Sequence, residues 1–329
     1  MGLSRSQALY PVPHLIVPYA ATGAHLPGQE APPLPGLPNL ARLLALLEPQ
    51  QPDPGDEYSL SPPHERARAR ALGLPTTDGL TPWAAWQAGI TDRGCAWFTP
   101  CHWRAGMDQV TLQPPEDLAL AEAESRALLE ALRPWAEEDG ILLHFESATR
   151  WRAKGAVFAE LPSASLDRVA HRRIDAWLPD GARLPQARAL LRLQSEAQML
   201  FYSHPVNDAR GAQGLAPING FWISGSGVWN GRTEADGAEP RLADGMRAAA
   251  LRGHPSAWAQ AWAELDRSEI VDLLARAERG ETVRLTLCGE RNALTWASAE
   301  RPERGLWSRL KGLLGSRRPP DISEILQQL

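Results

Sequence analysis

Residues 204–227 read HPVNDARGAQGLAPINGFWISGSG, and they carry more structural information than any other stretch of the chain. The apolar run 221–223 predicts a short buried strand. Gly225 and Gly227 follow it, and glycines at this spacing let the backbone turn sharply and approach a ligand or a neighbouring element. The stretch therefore predicts a buried strand that ends in a tight glycine turn.

Polar side chains lie on the predicted loops that feed this strand. An arginine, asparagine amides and free backbone N–H groups beside a glycine turn are groups that bind phosphate. A capped turn and a structural glycine bend explain the same residues without any ligand. The candidate ligand contacts in this stretch are His204, Asn207, Arg210, Asn219, Ser224, Gly225 and Gly227.

The whole stretch resembles a segment of the archaeal-type, cofactor-independent phosphoglycerate mutases. In that family a His-Pro-x-Asn…Arg…Gly…Pro-x-Asn segment leads into an apolar strand and a Gly-x-Gly loop. The matching positions here are His204, Pro205, Asn207, Arg210, Gly214, Pro217, Asn219, Gly225 and Gly227. The family usually has an arginine before the first glycine of the loop, where this chain has Ser224. The resemblance is closest to a shorter bacterial branch, the RpfE-type phosphoglycerate mutase-like proteins.

The resemblance implies an α/β fold, with a core sheet flanked by helices like that of the alkaline-phosphatase superfamily and an inserted smaller α+β unit. Residues 91–160 show the strand–helix–strand–strand order of the substrate-side unit of that family. The predicted discontinuous α/β core then comprises residues 1–90 and 161–300, and residues 301–329 form a C-terminal tail.

A second group of candidate ligand contacts comes from the predicted inserted unit. The sequence TRWRAKG, residues 149–155, lies where the family carries a Tyr-Arg pair that approaches substrate. The resemblance therefore adds Arg150 and Arg152 to the candidate ligand contacts.

The metal chemistry of the family is missing from this sequence. Its members use two metal ions and a serine nucleophile, and their first strand ends in an Asp-Gly step. Here the strand predicted at 14–20 ends in Tyr19 and Ala20, and no Asp-His-Ser motif follows the glycine loop. The eight histidines are scattered without metal-ligand spacing. We therefore predict no metal, no cofactor and no confident catalytic residue.

Three functions are compatible with this pattern. The first is a catalytically degenerate, metal-free phosphoglycerate mutase-like protein that binds a small anionic or phosphorylated ligand, or a protein partner, in a regulatory role. The second is an active phosphoglycerate mutase or phosphohydrolase, a phosphotransferase or isomerase with a rearranged site. The third is a pure protein-interaction module. The missing metal ligands favour the first, a pseudoenzyme.

The bulk composition excludes other classes of protein. The chain has 329 residues and a net charge of −5, without the basic stripe that nucleic-acid binding requires. Its three cysteines form no CxxC pair, so the sequence indicates neither a zinc knuckle nor a disulfide framework. It has no apolar run of about 18 residues and no secretory signal, which predicts a cytoplasmic bacterial protein without a transmembrane segment.

The tail contains a further interaction candidate. Residues 305–318 read GLWSRLKGLLGSRR, in which apolar residues share one helical face and basic residues the other. Such a helix suits a partner's groove or an anionic membrane surface. A helix docked on its own domain is the alternative.

Local patterns predict several elements with their boundaries. Apolar periodicity indicates a helix over residues 183–202, and Asn39 is the predicted N-cap of a helix that ends before Pro49. Apolar runs at 282–288 and 293–298 predict a hairpin.

Overall fold

A computed structural model describes residues 12–21, 34–182, 184–233, 239–299 and 321–329. The chain divides into two compact units, both of them discontinuous in sequence. The first unit comprises Met1–Glu57, Pro63–Leu72 and Glu234–Leu329. The second unit comprises Tyr58–Pro62 and Gly73–Thr233.

The first unit contains a mixed sheet with the strand order β2-β10-β9-β1-β8. Its strands are β1 (His14–Val17), β2 (Glu48–Pro49), β8 (Arg241–Leu242), β9 (Arg284–Cys288) and β10 (Ala293–Ala297). β1 runs parallel to both β8 and β9, whereas β10 is antiparallel to β9 and β2. The predicted hairpin is thereby confirmed, and the strand predicted at 14–20 is confirmed for His14–Val17, since the chain turns at residues 18–20.

Helices accompany this sheet. They are α1 (Pro38–Leu46), α2 (Pro63–Ala71), α8 (Arg247–Leu251), α9 (Pro255–Arg267), α10 (Glu269–Glu278) and α11 (Ile322–Gln327). Ala67 of α2 packs on Ile16, Cys288 and Ala293 in a small buried cluster. The helix α1 packs on both α9 and α10.

The N-terminus of α1 corrects one sequence-based prediction. Asn39 is not its N-cap, because that position is Leu37, and Leu37 makes no side-chain capping hydrogen bond. Asp266 of α9 caps the helix instead: its carboxylate accepts the backbone N–H of Leu40 at 2.8 Å and that of Asn39 at 3.3 Å. The cap comes from another helix, which the local sequence around Asn39 does not reveal.

The second unit contains an antiparallel sheet. Its strands are β3 (Cys95–Ala105), β4 (Val110–Gln113), β5 (Leu142–Ser147), β6 (Arg150–Lys154) and β7 (Gly220–Gly227). The strand β3 is central: its first half pairs with β6 on one side and β7 on the other, and its end pairs with β4. β5 extends the sheet beyond β6.

Helices pack on both faces of this second sheet. The helices of the unit are α3 (Trp83–Ala88), α4 (Glu122–Glu138), α5 (Leu166–Val169), α6 (Pro185–Tyr202) and α7 (Pro205–Ala212). Leucines of α4 and α6 form one buried cluster with Phe98, Trp151 and Phe221 of the sheet. The rings of Phe98 and Phe221 stack with their centroids 4.2 Å apart. We call the opposite face, which carries Trp97 and Arg152, the outer face, and there Trp97 packs against Ala84 and Ala85 of α3.

The α/β class predicted from the sequence, with sheets flanked by helices, is confirmed. The unit boundaries differ from the predicted insertion at 91–160, because the compact second unit extends to residue 233. The reason is long-range pairing: β7, which the prediction assigned to the core, hydrogen-bonds to β3 from Cys95 to Cys101.

Two further predictions concern helices. Within the described ranges, no helix is both long enough and apolar enough to span a membrane. The predicted amphipathic helix at 305–318 lies outside the described residues.

Candidate functional site

His204 begins the 204–227 stretch as the N-cap of α7. Its Nδ1 accepts the backbone N–H of Val206 at 3.2 Å, and Pro205 occupies the first helical position, where a missing N–H costs nothing. The His-Pro pair is therefore a capped helix start, which was the structural alternative to a ligand contact.

Asn207 lies on α7 and its side chain is buried. Its Nδ2 donates to the carbonyl oxygens of Phe201 at 2.8 Å and Ile218 at 2.7 Å. Its Oδ1 accepts the backbone N–H of Ile218 at 2.8 Å. One amide thus joins the end of α6 to the segment that enters β7, with three hydrogen bonds to backbone groups.

Arg210 is fully buried, with 0% of its surface exposed. Its Nε donates to the carbonyl of Ala216 at 2.9 Å and one terminal nitrogen donates to the carbonyl of Leu118 at 2.6 Å. The other terminal nitrogen donates to Glu124 Oε2 at 2.9 Å, which neutralises the buried charge. The guanidinium therefore ties α7 to the turn before β7 and to the start of α4.

Asn219 joins the segment before β7 to the neighbouring strand β3. Its Oδ1 accepts the backbone N–H of Trp103 at 2.7 Å, and its Nδ2 donates to the carbonyl of Trp103 at 2.9 Å. The side-chain amide thereby pairs with β3 just before the first residue of β7, as another strand residue would.

Gly225 and Gly227 form a β-bulge rather than a free loop. Trp97 pairs with Ser224 while Cys95 pairs with Gly227, so β7 carries one extra residue at this point. Gly225 has a φ of 64°, and a Cβ there would lie 2.9 Å from the ring of Trp97. A Cβ on Gly227 would lie 2.9 Å from the carbonyl oxygen of Leu80. The backbone at these glycines therefore lies close to neighbouring elements of the second unit, as the sequence predicts for a close approach.

Gly225→Ala tests this explanation. We expect it to lower the free energy of unfolding by about 2 kcal/mol or more, because alanine is strained at this φ and meets Trp97. Gly211→Ala is the matched control, since Gly211 lies in α7 with open space around it and should tolerate a methyl group. Urea denaturation measures both. Equal stability of the two variants would contradict the bulge.

The outer face of the sheet brings other side chains together. The register aligns His144, Arg152, Trp97 and Ser224 in one row across β5, β6, β3 and β7. Of the sequence-predicted residues, this row contains Arg152 and Ser224. It also contains Trp97 and His144, which no sequence pattern indicated as site residues.

Arg150 joins this row from the next outward position of β6. Its guanidinium carbon lies 4.9 Å from the ring centroid of Trp97, and one nitrogen donates to Gln87 Oε1 at 3.4 Å. The Glu146 carboxylate accepts from a terminal nitrogen of Arg152 at 2.9 Å and lies 3.7 Å from Arg150 Nε. Both arginines are therefore held on the outer face.

Two N–H donors on this face have no hydrogen-bond partner among the described residues. They are Arg152 Nε and Trp97 Nε1, and both atoms are buried. Arg152 and Trp97 occupy paired positions of β6 and β3. A buried N–H without an acceptor is costly, so these two donors favour an oxygen-bearing partner.

The electrostatics of the outer face are positive along β6. Arg150, Arg152 and Lys154 alternate along the strand, and the side chains of Arg152 and Lys154 are only 22% and 23% exposed. Burial and the cations Arg152, Arg133 and Lys154 lower the pKa of His144, which favours its neutral form. The Lys154 ammonium hydrogen-bonds Asp92 at 3.0 Å and lowers the pKa of that carboxyl.

The end of β1 in the first unit is where the resemblance implies a metal ligand. Tyr19 has a positive φ of 55°, and its ring lies 5.5 Å from that of His64. The Trp258 indole donates to the Tyr19 carbonyl at 2.8 Å, and the Trp262 indole donates to the Ala20 carbonyl at 3.0 Å. Within the described residues, no group of three or more His, Cys, Asp and Glu side chains is arranged to hold a metal ion.

Comparisons with known proteins give only distant likenesses. No family model matches this sequence, and no curated protein matches it. The structure of the PH0037 protein from Pyrococcus horikoshii has 12% sequence identity, covers 88% of each chain and gives a TM-score of 0.46. The cofactor-independent phosphoglycerate mutase from Thermoplasma acidophilum has 14% identity, covers 97% of this chain and 99% of its own, and gives a TM-score of 0.36. These values describe a distant structural relationship and assign no function to this chain.

Proposed function

We propose that this protein binds a small anionic or phosphorylated ligand on the outer face of the second sheet, through Arg150 and Arg152, in a regulatory role without turnover. The observation that carries the proposal is the half-buried Arg152, whose Nε has no acceptor while Arg150 and Lys154 share its face. Guanidinium groups are suited to phosphate and carboxylate because they present N–H donors in a planar fork.

The 204–227 stretch has a supporting role in this proposal. The side-chain N–H groups of Asn207, Arg210 and Asn219 donate to backbone carbonyls and to one carboxylate. These hydrogen bonds hold β7 and the segment that precedes it in place. β7 in turn pairs with β3, which presents Trp97 beside Arg152. Residues 204–227 can therefore resemble a ligand-binding segment without contacting the ligand, because they fix the strand next to the one that carries Trp97.

The residues at the end of β1 do not fit the two metal ions that the resemblance implies. A phosphoryl-transfer metal pair needs carboxylate and imidazole ligands. Position 19 is tyrosine, position 20 is alanine, and the carbonyl oxygens of both accept indole N–H groups. This donor set supports a protein that lacks the phosphoryl-transfer centre of the mutases.

Arg152→Ala tests the proposed function. We expect inorganic phosphate to raise the melting temperature of the unaltered protein, since a ligand of the native state stabilises it, and to have almost no effect on the variant. The affinity should fall about tenfold or more, because a hydrogen bond to a charged group contributes roughly 1.5–3 kcal/mol.

Arg192→Ala is the control for this experiment, because Arg192 is 60% exposed on α6 and should leave the phosphate response unchanged. The melting temperature is also measured after treatment with EDTA and after addition of Mn²⁺. A rise in melting temperature that requires Mn²⁺, or mutase turnover with that ion, would overturn the metal-free part of the proposal. If neither phosphate nor 3-phosphoglycerate raises the melting temperature of the unaltered protein, the proposal of an anionic ligand is refuted.

A further inference from the structure

Glu146 occupies an irregular position in the second sheet. Phe145 pairs with Trp151 and Ser147 pairs with Arg150, so Glu146 is an extra residue of β5 without a cross-strand partner. Such a bulge turns a side chain away from the direction that regular pairing would give it. At this point in the sheet, the carboxylate is directed to the two arginines of β6.

One carboxylate is shared between two guanidinium groups. Glu146 lies 2.9 Å from a terminal nitrogen of Arg152 and 3.7 Å from Arg150 Nε, and its side chain is 22% exposed. A single negative charge therefore faces two positive charges in a half-buried setting, where their interaction is stronger than on an open surface. The cluster keeps an excess of positive charge.

The contact with Arg152 is also one-sided. Glu146 accepts from a terminal nitrogen only, and Arg152 Nε remains buried without an acceptor among the described residues. The strongest oxyanion contacts of arginine are forked, with two parallel N–H donors to two oxygens. A phosphate group has more acceptor oxygens than a carboxylate and can meet the donors that Glu146 leaves unpaired.

We propose that Glu146 is an internal competitor of the ligand. It holds Arg150 and Arg152 in the ligand-free protein, and an incoming phosphate group displaces it and takes both guanidiniums. This inference rests on the proposed function and adds a basis for selectivity. A ligand with a lone carboxylate offers these arginines nothing that Glu146 does not already supply from within the chain, whereas a doubly charged phosphate does.

The test is calorimetric titration of inorganic phosphate and of acetate into the full chain and into Glu146→Gln. The variant removes the competing charge and keeps the size of the side chain. We expect phosphate to bind about tenfold more tightly to Glu146→Gln, which corresponds to roughly 1.4 kcal/mol. Acetate should bind the variant measurably and the unaltered chain much more weakly.

Glu196→Gln is the matched control. Glu196 is also half-buried, at 23% exposure, and pairs with Arg192 at 3.6 Å on α6. It should leave phosphate affinity unchanged. If phosphate binds the unaltered chain and Glu146→Gln with equal affinity, Glu146 does not compete with the ligand, and the proposed function stands. If phosphate binds neither, the proposed function fails, and the competitor fails with it.

A second measurement serves if Glu146→Gln does not fold. The Nε–H resonance of Arg152 in the unaltered chain, assigned by its loss in Arg152→Lys, reports the partner of that atom. Phosphate should shift this resonance, and acetate at the same concentration should not. An Arg152 resonance that phosphate leaves in place would overturn the displacement of Glu146.

Discussion

Arg210→Ala should lower the free energy of unfolding by about 3–5 kcal/mol, the range observed when one partner of a buried ion pair is removed. The variant leaves the carbonyls of Ala216 and Leu118 without their donor and the Glu124 carboxylate without its cation. Glu124 also accepts the backbone N–H of Ala121 at the start of α4, so the damage extends to that helix. Urea denaturation followed by tryptophan fluorescence measures the loss.

Two control variants sharpen this prediction. Arg210→Lys keeps the charge but cannot reach three separate acceptors, so its stability should fall between those of Arg210→Ala and the unaltered chain. Arg267→Ala, which removes an ion pair with Glu264 that is exposed on both sides, should change stability by about 0.5 kcal/mol or less. Unchanged stability of Arg210→Ala together with lost phosphate affinity would instead make Arg210 a ligand contact.

Asn207→Leu should lower the free energy of unfolding by about 2–4 kcal/mol, although leucine has the same number and branching of side-chain heavy atoms as asparagine. The apolar side chain leaves the carbonyl and the N–H of Ile218 unpaired in a buried place, whereas the Phe201 carbonyl loses one donor and keeps the backbone N–H of His204 at 3.1 Å. Each such group carries a desolvation cost of roughly 1–3 kcal/mol when it loses its partner, and partial relaxation reduces the sum.

The control for Asn207→Leu is Asn230→Leu. Asn230 lies in an exposed turn, where its Oδ1 accepts the backbone N–H of Arg232 at 3.0 Å. Water can replace that hydrogen bond, so we expect a change of about 0.5 kcal/mol or less. Similar losses for the two asparagines in urea denaturation would refute the structural role of Asn207.

Local patterns were sufficient for some elements of the fold. The strand β1 follows from an apolar run, and α6 follows from buried residues spaced three and four apart. Local patterns did not predict which elements pack or pair with one another. The β7 strand pairs with β3, more than a hundred residues earlier, and the Asp266 carboxylate caps α1 from a distance of 226 residues.

The candidate site was only partly predictable, for a physical reason. A sequence shows that Asn207, Arg210 and Asn219 are polar, but their hydrogen bonds go to backbone groups that any sequence supplies. Arg150 and Arg152 were found through a family resemblance. The alternation of cations in RWRAK, residues 150–154, is the signal that could have added Lys154.

Glu146 and Trp97 were not predicted. Glu146 reaches the arginines from a bulge, and a bulge depends on the register of β5 against β6. Trp97 belongs to the site because Arg150 lies over its ring and Arg152 pairs with it. Neither relation leaves a short-range pattern in the sequence.

We propose that residues 204–227 hold β7 in place in the second unit and that the outer-face arginines bind the anion. Calorimetric titration of inorganic phosphate into His204→Ala and Arg152→Ala tests it most directly. Loss of the N-cap should cost His204→Ala about 1 kcal/mol of stability and leave it folded. We expect His204→Ala to bind phosphate with an affinity within about twofold of that of the unaltered chain, and Arg152→Ala to bind it about tenfold or more weakly. Lost affinity in His204→Ala with unchanged affinity in Arg152→Ala would contradict this proposal.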